Sequence, residues 1–149
     1  MWNVIFAAAN LLALACWITL ILLPRHPLAL SAIMYCGVGL LCLIYTACMA
    51  SLVTGLADPV GPRGDISVST IAGVRAMFAT DGGVTIGWVH YLAFDLFAGL
   101  WTARDADAKG FSRIVQAPIL LLTFLAGPIG LLTWLIVRER AARKLGRMT

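Results

Sequence analysis

The sequence predicts an all-α membrane protein, a bundle of four transmembrane helices with a short interfacial helix between spans two and three. Three observations carry that reading. Apolar residues make up 61% of the 149 and charged residues only 12%, with a mean hydropathy of +0.93. That balance leaves too little polar surface to keep a small domain in water. Four apolar stretches, each near the roughly 20 residues a helix needs to cross a bilayer, are separated by proline- and glycine-rich breaks. Basic residues gather beside the last stretch, in Arg138, Arg140, Arg143, Lys144 and Arg147. With a net charge of +4, they read as a juxtamembrane topology signal, with anionic lipid as the alternative, and not as a nucleic-acid surface. The length suits one integral membrane domain, 1–149.

The first span, about 2–23, stops at Pro24-Arg25-His26-Pro27, where two prolines forbid further helix and a charge marks the interface. It enters its apolar run at once, has no positively charged n-region and is too long for a signal-peptide core, so a retained helix is expected, with no plastid-type transit segment. The second span, about 28–53, returns antiparallel to make a helical hairpin. Gly55, Asp58-Pro59, Gly61-Pro62 and Gly64-Asp65 then give a turn-rich loop. Near Ser69–Thr80, Ile71, Val74 and Phe78 share one helical face, which suits an interfacial helix or a lid over a site in the bundle.

The third span, about 84–103, carries His90 and Asp95 among aromatic neighbours. A polar loop follows, and then a fourth span, about 114–137. Pro118 falls in its first turn, whereas Pro128 is interior, frees the Phe124 carbonyl and predicts a kink at Gly127-Pro128. Four spans put Arg63, Arg75 and the five basic residues of the tail on one side, and Arg25, Arg104, Lys109 and Arg113 on the other. That seven-to-four excess predicts both termini in the cytoplasm, and a bacterial inner membrane is the expected location. Cys16, Cys36, Cys42 and Cys48 have no CxxC spacing and no histidines beside them, so buried thiols are expected and no metal site.

Ionisable groups inside a span cost roughly 2.5–3.5 kcal/mol each at mid-helix, so His90 and Asp95 call for a function. Five residues apart, they diverge by about 140° and border an inward face from its two edges. Trp88, Tyr91, Asp95 and Thr102 form a polar and aromatic stripe; Ile86, His90, Phe94, Phe97 and Trp101 form an aromatic one. Asn10, with Phe6 and Trp17, is the natural polar counterpart on span one, and Ser31, Tyr35 and Cys42 offer a stripe on span two. Against this stands the plainer reading that the polar groups only hydrogen-bond between helices as packing contacts.

Counting removes several chemistries. A retinal Schiff base needs a lysine within a span, and Lys109 and Lys144 lie outside the predicted ones. Two histidines are too few for a membrane di-iron centre, and His26 and His90 are badly placed for a shared haem. No glycine motif for phosphate or dinucleotide appears in a strand-to-helix context. Acid–base chemistry without metal or cofactor, or simple binding, remains.

The run Gly87-Trp88-Val89-His90-Tyr91-Leu92-Ala93-Phe94-Asp95-Leu96-Phe97-Ala98-Gly99, followed by Trp101 and Arg104-Asp105, resembles the signature of the neoxanthin synthase family, the plant abscisic-acid-deficient-four protein and its bacterial relatives. Weaker matches are Leu121–Leu132 with Gly127-Pro128, Asn10 with Trp17 and Leu23-Pro24, and Gly73-Val74 with Met77-Phe78. Thr80-Asp81-Gly82 stands where the family often has a proline. The resemblance implies a cofactor-independent isomerase that opens an epoxidised carotenoid end ring to an allenic alcohol, or carries out a related conversion. His90 and Asp95 would then be the acid and base, in either assignment. Asn10 and Tyr91 would position the end ring, with Trp17, Tyr35, Trp88, Phe94 and Trp101 along a carotenoid or other lipid-like substrate. Arg75, Asp81, Arg104 and Asp105 are either polar-ring contacts or solvated flanking charge. The alternatives are a non-enzymatic pigment- or lipid-binding protein or complex subunit, and a small transporter or channel using Asp95; a homo-oligomer fits any of these.

Overall fold

The computed structural model describes residues 1–23, 26–62 and 64–145, with side chains through Glu139. Pro24, Arg25, Arg63 and Arg147, which entered the sequence reading, lie outside the described residues, as do the side chains of Arg140, Arg143 and Lys144. All regular secondary structure among the described residues is helical. It comprises α1 (Trp2–Leu22), α2 (Pro27–Val53), α3 (Ile71–Met77), α4 (Asp81–Ala108), α5 (Arg113–Leu125) and α6 (Gly127–Leu145). Three of these, α1, α2 and α4, are long and apolar enough to cross a membrane.

α4 is the axis of the bundle and touches α1, α2, α5 and α6. It starts earlier than its hydropathy predicts because Thr80 caps it, the hydroxyl accepting from the Gly83 N–H at 3.1 Å, with Asp81 in the first turn. Between apolar helices in lipid, close packing and not water exclusion drives association, and small residues permit it. The Trp17 indole fills the space a Cβ would take at Gly99. Around it Leu20, Leu41, Leu96, Leu100 and Leu120 are fully buried.

α2 contains a π-helical turn at Ile33–Gly39. There Gly37 meets Cys16 so closely that a Cβ would come within 2.6 Å of its sulfur. The inward face of α2 is therefore Ile33, Gly37, Val38, Leu41 and Cys48, and the expected stripe of Ser31, Tyr35 and Cys42 faces outward. Of the four cysteines only Cys16 and Cys48 are buried; Cys36 and Cys42 are exposed.

The near end of the bundle, where α1 and α4 begin, is closed by the loop after α2. The Trp2 indole N–H donates to the Asp58 carbonyl at 2.8 Å. The Asp81 and Gly82 N–H groups donate to the Val60 and Pro59 carbonyls, both at 2.9 Å. The interfacial element is only α3, capped by Thr70. Its face is not the expected one, since Ile71 is exposed while Val74 and Met77 are half-buried.

The last third departs most from expectation. Residues 114–137 are not one kinked span: the chain reverses at Ala126 (φ −154°, ψ 75°), and α6 runs back along α5. Gly130 lies against the Thr123 backbone with no room for a Cβ, and Ile119 packs with Trp134 and Ala106. In a continuous helix Ile119 and Trp134 would stand about 22 Å apart. Phe111 meets the Trp134 ring edge-on at 5.1 Å, and Arg138 returns to Asp105 at 2.8 Å. α5, with 13 residues, rises only about 20 Å against a hydrocarbon core of about 30 Å.

In place of one continuous fourth helix there is a helical hairpin whose open end lies at the far end, where α1 and α4 finish, so that the start of α1 and the end of α6 lie at opposite ends of the bundle. Continuous hydropathy over 114–137 cannot distinguish a span from two apolar limbs folded together. Pro128 sits in the first turn of α6, where a missing N–H is tolerated. The turn satisfies its own backbone, as irregular chain at this depth must: the Ala126 N–H donates to Leu122, and its carbonyl accepts from Ile129 and Gly130.

Candidate functional site

Two polar places lie on opposite flanks of α4. The first is a seam at helical spacing, Trp88, Tyr91 and Asp95, that faces α1 and the hairpin. The Trp88 indole N–H donates to the Asn10 side-chain oxygen at 3.0 Å, while the Asn10 amide donates to the Phe6 carbonyl one turn earlier at 2.7 Å. The Phe6 ring stacks on Trp88 at 5.8 Å between ring centres, and the Tyr91 ring lies tilted against it at 5.3 Å. The Tyr91 hydroxyl stands beside the Asp95 carboxyl group and the Gly127 backbone. Asp95 thus meets the hairpin tip, and its Oδ2 is buried without a hydrogen-bond partner.

The second place is a cleft of about 1030 Å³ in the near half of the bundle. Its inner wall is Tyr45, Met49, Leu52, Ile86 and His90, and Asp58, Pro59, Pro62, Gly64, Ala76 and Thr80 form its rim. Phe78 enters the space left by Gly87. His90 is exposed to the cleft, with the Tyr45 ring centred 5.6 Å and the Phe94 ring 4.7 Å from its own. A large apolar hollow with few hydrogen-bonding groups suits a hydrophobic ligand that carries an isolated polar feature.

The structure does not bring His90 and Asp95 into one pocket; the angular divergence of their five-residue spacing turns one to the cleft and the other to the hairpin. Asn10, Trp88 and Tyr91 join Asp95 in the seam. Trp17, only 2% exposed, is a core residue, whereas Tyr35, 76% exposed, borders neither place. Phe94 flanks His90 with its outer edge free. Trp101 lies at the far end, its ring 5.5 Å from the Arg138 guanidinium.

Asp105 is committed to structure: it accepts from Lys109 at 2.7 Å, Arg138 at 2.8 Å and the Trp134 indole at 3.0 Å. Arg75, Asp81 and Arg104 are exposed. Phe78, expected as part of a lid, lines the cleft, whereas sequence reasoning missed Tyr45 and Met49. Their sole signal was the i, i+4 pair Tyr45 and Met49 on span two, which hydropathy alone does not distinguish from lipid-facing residues.

An all-helical fold with three membrane-length apolar helices, and polar groups held along one of them, defines an integral membrane protein. Its chain belongs to the ABA DEFICIENT 4-like family, whose model matches residues 4–134, and the expected family is the one found. No curated protein matches the chain, nor does any solved structure.

Proposed function

We propose that this protein is a carotenoid-modifying isomerase of the neoxanthin synthase kind, working in a bacterial inner membrane on a carotenoid or similar lipid-like substrate. The observation that carries the reading is His90, which opens into a cleft of about 1030 Å³ instead of pairing within the bundle. Conversion of an epoxidised end ring to an allenic alcohol breaks a C–H bond and an epoxide C–O bond, and forms a C=C and an O–H bond. No electrons are gained or lost. The imidazole takes the proton from carbon, and the epoxide oxygen receives one from the resulting imidazolium, either directly or through the hydroxyl of Tyr45 on the same wall, which the imidazolium then reprotonates.

Asp95 enters as a positioning residue, holding Tyr91 and the hairpin tip across α4 from the cleft. The test is expression in cells that make defined carotenoids, with extracts compared by chromatography. The native chain yields a new isomer and His90→Ala, at equal protein level, does not. Pigment that copurifies unchanged would instead favour a binding protein.

A second reading, a small transporter, draws on one observation: a carboxyl group at mid-helix facing the break between two half-helices, an arrangement transporters use at their midplane. Proton-coupled flux into liposomes that is lost in Asp95→Asn is its test.

A further inference from the structure

The hairpin redistributes charge between the two ends of the bundle. Among the described residues, Arg104, Lys109, Arg113 and Arg138 and the α6 positions Arg140, Arg143 and Lys144 all fall at the far end, and the near end has Arg75 alone. Arg113 is tied there by geometry: its guanidinium donates to the Leu23 carbonyl at 2.6 Å and the Ile21 carbonyl at 3.3 Å, closing the end of α1. With four spans the tail would have joined the near end; with α6 doubled back it joins the far one. Lys and Arg in short segments beside spans are retained in the cytoplasm, so a seven-to-one excess is an orientation signal.

Depth matters as well. Asp95 lies at the middle of the 28-residue α4, and His90 is displaced from that midpoint toward the near end by about 7 Å. The cleft occupies the near half of the bundle and has its rim in Asp58, Pro59, Pro62, Gly64 and Thr80.

We infer that the far end faces the cytoplasm, that α1 begins on the opposite side, and that the His90 cleft opens to the non-cytoplasmic leaflet and draws its ligand from there. The orientation rests on the hairpin and the charge count. The loading side rests in addition on the cleft being the working site, as proposed above.

The test pairs two reporters on the full chain in a bacterial host. One is a C-terminal green fluorescent domain, which fluoresces only in the cytoplasm. The other is an epitope inserted after Ser69, in the exposed loop before α3, and scored with antibody on spheroplasts. The expected result is a fluorescent C-terminus with an accessible epitope. Fluorescence with a protected epitope, or a dark C-terminus with an accessible one, would mean that the α5–α6 segment crosses the membrane. A dark C-terminus with a protected epitope would mean the reverse orientation; each of these three overturns the inference.

Should the insertion prevent accumulation, Ser69→Cys in the native chain, labelled with a membrane-impermeant maleimide, reports the same side against the unlabelled native chain. Pigment conversion by these chains is scored separately. An inert protein in this orientation removes the isomerase and leaves the orientation standing, and an active protein in the reverse orientation does the opposite.

Discussion

The Asp95 carboxyl group rests directly against Gly127, so closely that a Cβ on that glycine would overlap its oxygens. The contact joins the midpoint of the central helix to the tip of the hairpin, and makes the break between α5 and α6 part of the environment of a carboxyl group deep in the bundle.

Gly127→Ala is therefore expected to destabilise the protein by about 1–3 kcal/mol through overpacking. Thermal unfolding in detergent would show it. Combined with Asp95→Ala, which vacates the colliding space, the loss should shrink, giving a coupling of about 0.5–3 kcal/mol. Strict additivity of the two changes would mean the contact is not there.

Asp95→Ala alone should cost only about 1 kcal/mol, because it deprives the Tyr91 hydroxyl of its neighbour but also removes a buried Oδ2 that has no hydrogen-bond partner. A large loss in melting temperature would show instead that the carboxyl group holds the fold.

The hairpin is fastened at its open end by Asp105. Removing that side chain in Asp105→Ala leaves Lys109, Arg138 and the Trp134 indole without their shared acceptor, at a cost of about 2–3 kcal/mol. Trypsin should then cut the α6 tail faster than in the native protein, and unchanged digestion would refute the fastening role.

How much of this was legible depended on how local the cause was. The stripe of Trp88, Tyr91 and Asp95 follows from spacing within one helix, and the turn chemistry of residues 54–70 follows from Gly, Pro and Asp. The hairpin does not, because what distinguishes it from a span is the pairing of Asp105 with Arg138 and of Thr123 with Gly130, neither visible in any short window. Gly127-Pro128 was readable as a break, but its angle is set by those distant contacts. In the same way, Trp17 and Tyr35 look alike as aromatics in apolar spans, and only the helix crossings at Gly99 and Gly37 decide which is inside.

That distinction is measurable. Trp17→Ala should cost about 3–5 kcal/mol of stability, the usual loss for a fully buried large aromatic. Tyr35→Ala, on the outward face, should stay within about 0.5 kcal/mol. Equal effects would contradict the packing of α1 and α2.

Filling the cleft is the complementary experiment. Met49→Trp places a larger ring on the wall beside Tyr45 and His90, and should lower retained pigment about tenfold, equivalent to 1.4 kcal/mol, without lowering the melting temperature. Undiminished pigment would place the ligand elsewhere.

The indole hydrogen bond from Trp2 to the Asp58 carbonyl has a practical consequence for anyone handling the protein. Because Asp58 and Pro59 belong to the cleft rim, an affinity handle joined ahead of Met1 would emerge beside the entrance and compete with whatever approaches it. A handle on the opposite terminus would leave the entrance clear, so preparations differing only in the position of the handle should differ in apparent affinity for pigment while sharing the same fold.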